Sequence, residues 1–306
     1  MIDIHVHGIA GFDTRTSKGL VSPSRPEDIL KIAEGLATPA EAHGSKGVAS
    51  IVPAIYPASI EKMRADMEAV KRAMKLQGLT SPSKGLKSPI GGLKREGSVT
   101  PAWILGVHLE GPFLNPARCG ALDKESFLEP TQYNLNKLIE GYEDIVKIIT
   151  IAPELDGALK IIKNITDMGI AASMGHSNAT FDQAGTGYNA GARGVTHLFN
   201  AMSGFHHREP GLAGFGLMNK DVYVEVIGDP YHLHMETLKL IFSVKNPDRI
   251  ILISDLVKGP FRDESGKLYG GSMSIAESSK RLVEMGISGE VVKKAVTENP
   301  ERYLAL

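Results

Sequence analysis

The chain opens Met1-Ile2-Asp3-Ile4-His5-Val6-His7-Gly8, and this octet sets the reading of the whole. Its alternating apolar residues predict a strand over Ile2–His7. Side chains on a strand alternate faces, so His5 and His7 point the same way. Working outward, short apolar runs recur at Val48–Ala54, Ile104–Leu109, Val146–Ile151, Ile170–Met174, Gly194–His197, Tyr223–Ile227 and Ile250–Ser254. Segments of helical period lie between them at Pro26–His43, Ile60–Leu76, Gln132–Glu140, Leu155–Met168, Phe181–Ala190 and His234–Val244. Strands that alternate with helices imply a parallel sheet. Eight such strands predict an α/β fold, a (β/α)8 TIM-type barrel.

The link from Gly194–His197 to Tyr223 is Gly-rich and His-rich and carries no helical period, so it reads as an irregular functional loop. After Gly271 the helical period resumes at Ser274–Met285 and Glu290–Glu298, which would pack outside the barrel. Residues 78–101, GLTSPSKGLKSPIGGLKREGSVTP, are dominated by Gly, Ser, Pro and Lys and read as a flexible, solvated insertion. A lid carrying Lys84, Lys87 or Lys94 is the second reading of that segment. One barrel domain over 1–306 is expected.

Composition narrows the function. With 34 basic against 35 acidic side chains, there is no electrostatic case for nucleic acid or an anionic membrane as partner. The one cysteine, Cys119, excludes an intramolecular disulfide and a cysteine-rich metal cluster, and reads as a packing residue. No signal-peptide pattern and no apolar run long enough for a membrane span are visible, so a soluble cytoplasmic protein is expected.

Ligand-type residues recur where the predicted strands end. After the His5/His7 pair come His108-Leu109-Glu110, Gly175-His176-Ser177, Thr196-His197-Leu198 and Ser254-Asp255-Leu256. Any one of them alone reads equally well as a satisfied polar residue. Their agreement over five strand ends argues for a site, because barrels of this class place catalytic groups at the C-terminal ends of several strands. Imidazoles and carboxylates converging there would suit one or two divalent ions in N/O coordination. Such an ion lowers the pKa of a bound water toward about 7 and polarises a carbonyl. Asp255 is then the natural general base, and the reaction class is hydrolysis of an amide or related C–N bond. The oxyanion could be held by the ion or by backbone N–H groups of the Glu110-Gly111-Pro112 turn. His108 shares a face with Glu110 and reads as support for the ligands. His206 and His207 read as loop residues, His234 as peripheral and His43 as a helix-end residue.

Six segments resemble the amidohydrolase superfamily, and more closely its N-acetylglucosamine-6-phosphate deacetylases. They are DIHVHGIAGFDT (3–14), GVHLEGPFLNPARCGAL (106–122), MGHSNAT (174–180), THLFNAM (196–202), HHREPGLAG (206–214) and ISDLVKG (253–259). They are spread over nearly the whole length of the chain, in the family's order. The resemblance implies that Glu110, His176 and His197 hold the main metal ion and that His5 and His7 can join Glu110 around a second. It implies that Asp255 is the catalytic aspartate, that Ala121, Asn200 and Ala201 contact the sugar, and that Arg208 and His232 hold the 6-phosphate. A guanidinium's rigid fork suits phosphate; paired with Glu209, Arg208 would be an ordinary surface residue.

The resemblance therefore implies removal of the acetyl group from N-acetylglucosamine 6-phosphate, with zinc first among suitable ions and iron, manganese or cobalt also suited. A homodimer is expected, in line with the symmetry of most oligomers. Three features depart from the family pattern. The small β-sandwich domain of relatives is absent from the expected organisation. Asp229 is followed by Pro230 where relatives have glycine. Leu256-Val257-Lys258 replaces small residues, and the stretch onward to Ser272 is short. These departures keep two alternatives open: another amidohydrolase acting on a different N-acyl or cyclic amide, and a non-catalytic sugar-phosphate-binding regulator.

Overall fold

The computed structural model describes residues 1–9, 12–13, 47–77, 102–257, 261–262, 264 and 266–305. The expected helix at 26–43 and the 78–101 insertion lie outside the described residues. Eight parallel strands follow one another around the sheet in chain order: β1 (Ile2–Val6), β2 (Ser50–Ile55), β3 (Val107–Leu109), β4 (Val146–Ile151), β5 (Ala171–Met174), β6 (Gly194–Val195), β7 (Tyr223–Ile227) and β8 (Ile250–Ile253). Ile2 lies opposite Ser50, Ala54 opposite His108, Ile148 opposite Ala171 and Glu225 opposite Ile251.

The last strand returns to the first just beyond its own end. Asp255 N–H donates to the His5 carbonyl at 2.9 Å, and His7 N–H donates to the Leu256 carbonyl at 2.9 Å. Asp3, fully buried, accepts Ser254 N–H at 3.2 Å. These bonds join the two ends of the sheet beside the residues expected to do the chemistry.

Strand alternation divides the apolar residues between two cores. On β7, Tyr223 and Ile227 join Ile4, Val52, Ile148, Ile251, Ile253 and Tyr303 in one cluster, while Val224 and Val226 belong to a second, larger one shared with the helices. Tyr303 comes from the final helix, and its ring lies 5.1 Å from that of Tyr223, the first residue of β7. It fills the barrel at the end opposite the site. Each fully buried aliphatic side chain contributes roughly 1.5–3 kcal/mol through removal from water, so this double layering supports a rigid frame.

The helices are α1 (Ile60–Leu76), α2 (Gln132–Ile139), α3 (Ala158–Asp167), α4 (Phe181–Ala190), α5 (Gly211–Met218), α6 (Met235–Val244), α7 (Ile275–Glu284), α8 (Gly289–Val296) and α9 (Glu298–Leu304). Capping explains several boundaries. Ser59 accepts Lys62 N–H, and Thr180/Gln183 and Ser274/Glu277 form reciprocal capping boxes. His234 caps α6 by accepting Glu236 N–H instead of lying inside it. α3 starts later than expected because Gly157, left-handed at φ 82°, interrupts the chain before it.

Two expectations are corrected. The link after β6 does contain a helix, α5, whose first seven residues are all buried. A helix buried all round shows no amphipathic period, and α5 has no side-chain cap at its start, so neither local signal marks it. The third strand is broken between Trp103–Ile104 and β3. At the break Gly106 takes φ 149°, where an added Cβ would overlap the Ile145 carbonyl oxygen.

Candidate metal centre

Each expected ligand stands at the C-terminal end of its strand. His5 lies within β1 and His7 just after it; Glu110 follows β3; His176, His197 and Asp255 lie two residues past β5, β6 and β8. Those last three adopt left-handed backbone, at φ 46°, 32° and 50°. For residues with a Cβ this conformation costs on the order of 1–3 kcal/mol and persists only where neighbours impose it. Hydrogen bonds do so here. The His176 carbonyl accepts Asn115 N–H at 2.9 Å, the His197 carbonyl accepts Asn200 N–H at 2.9 Å, and the Asp255 carbonyl accepts Gly271 N–H at 2.6 Å. The turn at His197 also explains why β6 stops at Val195 and not at His197 as expected.

The side chains meet closely. Glu110 Oε1 lies 3.0 Å from His176 Nε2 and 3.2 Å from His197 Nε2, and the two imidazole nitrogens are 3.1 Å apart. Glu110 Oε2 lies 3.2 Å from His7 Nε2. Asp255 Oδ1 is 3.5 Å from both His5 Nε2 and His7 Nε2. All six residues are buried.

The other imidazole edges show what these nitrogens carry. His7 Nδ1 donates to the Ala54 carbonyl at 3.1 Å and His176 Nδ1 to the Arg118 carbonyl at 2.9 Å. A carbonyl only accepts, so the proton sits on Nδ1 and Nε2 turns a lone pair to the centre. His5 Nδ1 faces Glu225 Oε2 at 3.0 Å, and its Nε2 has no hydrogen-bond partner. Burial lowers the His5 imidazolium to about 4, so this ring is neutral. Lone pairs and two carboxylates therefore face one another away from water, an arrangement that requires a cation or added protons. Without an ion, protons serve. Burial would lower His197, yet Glu110, Asp255 and Glu225 outweigh it and push its imidazolium up to about 9. Burial would likewise raise Glu110, but the imidazoles of His176, His197 and His7 gathered around it hold it well below the usual carboxylate range.

Donors about 2.0–2.2 Å from a tetrahedral divalent ion lie roughly 3.3 Å from one another, and the Glu110, His176 and His197 spacings match this. The residues fit the ion. His5, His7 and Asp255 form a second group with all donor atoms within 4.8 Å.

Sequence reading missed two supports. Glu225, in the middle of β7, holds His5 Nδ1, and its carboxyl is raised by burial to about 6. Its signal was a single carboxylate inside the apolar run Tyr223-Val224-Glu225-Val226-Ile227. Asp3 braces the closure and also accepts His5 N–H at 3.3 Å. His108 lies beside His5: its ring packs edge-on to that ring at 4.5 Å, Nδ1 donates to the Ile4 carbonyl, and Nε2 accepts from Thr150.

The expected sugar-contacting residues are partly gathered. A Cβ added at Gly120 would touch Ala201 at 3.3 Å and His176 at 3.6 Å, so the segment entering Ala121 lies over both. Asn200 and Ala201 are half-buried. Cys119 is half-buried, and its Sγ makes a weak contact to the Gly120 carbonyl. Among the described residues, Arg208 and His232 hydrogen-bond neither each other nor the ligand cluster. Arg208 is exposed, and Glu209 instead accepts the N–H groups of Phe181 and Gly211. His206 and His207 are exposed with their rings 4.1 Å apart. His232 Nδ1 meets Asp229 Oδ2 at 3.0 Å.

No protein-family model matches the chain. Over 326 aligned residues it is 28% identical to N-acetylgalactosamine-6-phosphate deacetylase of Escherichia coli O157:H7, spanning all of this chain and 77% of that protein. It is 37% identical over 200 residues to N-acetylglucosamine-6-phosphate deacetylase of Bacillus subtilis (strain 168); that match spans 65% of this chain and only 50% of the relative. Among solved structures, an aspartate-to-alanine variant of N-acetyl-D-glucosamine-6-phosphate deacetylase from Mycobacterium smegmatis, in complex with N-acetyl-D-glucosamine-6-phosphate, matches with a TM-score of 0.78. The identity is 25%, and the match covers 100% of this chain and 77% of that one. Among the described residues, no helix is long and apolar enough to cross a membrane.

Proposed function

We propose, from the premise that the chain belongs to the N-acetylglucosamine-6-phosphate deacetylase family, that this barrel is a metal-dependent amide hydrolase converting N-acetylglucosamine 6-phosphate to glucosamine 6-phosphate and acetate. The observation that carries the reading is the buried meeting of Glu110, His176 and His197, with Asp255 3.5 Å from His5 and His7. Glu110, His176 and His197 would hold the main ion, and His5 and His7 with Glu110 a second. When bound, the ion supplies Lewis-acid polarisation of the acetyl carbonyl and makes water a nucleophile near neutral pH.

The rest falls to the chain's own side chains. Asp255, fixed by backbone bonds on both sides, takes a proton from the attacking water and delivers it to the amine as the C–N bond breaks. The burial of the ligands keeps competing water away and strengthens each charge interaction. Asn200, Ala201 and Ala121 contact the sugar, and Arg208 and His232 hold the phosphate through charge-assisted hydrogen bonds. Zinc is the preferred ion for these imidazole and carboxylate donors, and a cytoplasmic homodimer is the proposed assembly.

The alignment over the whole chain favours one second reading, the 4-epimer N-acetylgalactosamine 6-phosphate. Acetate release from both epimers, by metal-stripped protein resupplied with zinc, iron, manganese or cobalt, tests these readings. Turnover of either epimer decides the substrate, and none with any metal on folded protein removes the reaction.

A further inference from the structure

Asp229 stands just after β7, fully buried, and its carboxylate gathers five donors. Oδ1 accepts Tyr231 N–H and His232 N–H, each at 2.9 Å. Oδ2 accepts His232 Nδ1–H at 3.0 Å, Ser272 N–H at 3.0 Å and the Ser272 hydroxyl at 3.2 Å. One side chain thus joins the turn that carries His232 to a segment more than forty residues away in sequence.

That distant segment lies directly behind Asp255. Gly271 N–H donates to the Asp255 carbonyl at 2.6 Å, and Leu256 and Gly271 form a parallel bridge. The approach is so close that a Cβ on Gly271 would overlap the Ser254 carbonyl oxygen, and one on Gly270 would overlap Val257. Asp255 itself is left-handed, a conformation that its neighbours must impose. The carboxylate is suited to this place: burial would raise it, but the hydrogen bonds from His232 and the backbone N–H groups hold it well below its ordinary range.

We propose that Asp229 is a positioning residue that sets two parts of the site together, the His232 imidazole on one side and, through Ser272 and Gly271, the main chain bearing Asp255 on the other. The inference rests on the roles of His232 and Asp255 given above. Pro230 suits such a bracket, since its own missing N–H leaves both Oδ1 contacts to the next two residues and its fixed φ stiffens the turn.

The test compares Asp229→Asn, His232→Asn and the double variant, as full-length metal-reconstituted protein with metal content measured, in steady-state turnover of N-acetylglucosamine 6-phosphate. Backbone amide hydrogen exchange is followed in parallel. Asp229→Asn is expected to raise KM and lower kcat, each about tenfold or more, at unchanged metal content. Added to His232→Asn it still lowers kcat about tenfold, whereas a residue serving His232 alone would add nothing. Exchange at Asp255, Gly271 and Ser272 is expected to rise at least tenfold. Unchanged exchange there, or no further loss of kcat in the double variant, overturns the proposal. Wild-type protein without turnover would overturn the proposed reaction and leave the exchange measurement to decide the role of Asp229. Should Asp229→Asn fail to fold, Ser272→Ala removes one of the two Ser272 donors; kcat two- to fivefold lower with faster exchange supports the bracket, and no change in either rejects it.

Discussion

Glu225 Oε2 lies 3.0 Å from His5 Nδ1, and both side chains are almost wholly removed from water. The pair fixes which His5 nitrogen carries the proton and aims the other at Asp255 and Glu110. A carboxylate behind a ligating imidazole also raises its basicity.

Replacing Glu225 with Gln keeps the shape but removes the charge behind His5. The expected result is a metal affinity lower by roughly 10–100-fold, read by competition with a graded chelator. Unaltered affinity would place His5 outside the metal site.

Asp255→Asn retains an isosteric side chain that cannot accept the proton. Turnover is expected to fall by about 10²–10⁴-fold while metal content by elemental analysis stays at the wild-type level. Loss of metal together with activity would make Asp255 chiefly a ligand.

Arg208 carries no ion pair to a described residue and is free to meet an anion. A hydrogen bond between charged partners contributes about 1.5–3 kcal/mol. Arg208→Gln is therefore expected to reduce the preference for phosphorylated over unphosphorylated substrate, in kcat/KM, by roughly 10–100-fold. An unchanged preference would show that the phosphate is held elsewhere.

Lys245 is buried at the end of α6, its Nζ donating to the Gly216 carbonyl at 2.8 Å and to the Asn219 carbonyl. Burial pushes its ammonium down to about 7, against about 10.4 in an unfolded chain. Between those values the unfolded chain holds a proton that the folded chain has released, so stability rises with pH. The slope is at most about 1.4 kcal/mol per pH unit. Urea midpoints from pH 6 to 10 should show this rise in the wild type and lose it in Lys245→Met; parallel curves would contradict it.

Bound metal should stabilise the fold by linkage, about 2.7 kcal/mol at a free concentration one hundred times Kd. Chelation is expected to lower Tm, and readdition to restore it. A Tm indifferent to metal would mean that Glu110, His176 and His197 do not bind the ion in the folded state.

The amino-acid sequence was enough to order the eight strands and most of the described helices, and to put the candidate ligands at strand ends. The signals are local: period two in β1, caps such as Ser59 and Thr180, and an imidazole or carboxylate at the ends of five of the eight apolar runs. It did not reveal α5, whose residues are buried on every side and so carry no period. Nor could it separate Glu225 and Asp3 from ordinary polar residues in strands, because the value of a buried carboxylate lies in what faces it. Tertiary structure alone decided the left-handed turns that bring His176, His197 and Asp255 inward. It alone decided the pairing of Asp229 with both His232 and Ser272. The physical reason is the same in each case. Propensity and period act over one turn or one strand, whereas the cost of a strained backbone or a buried charge is met only by partners brought close when the barrel closes.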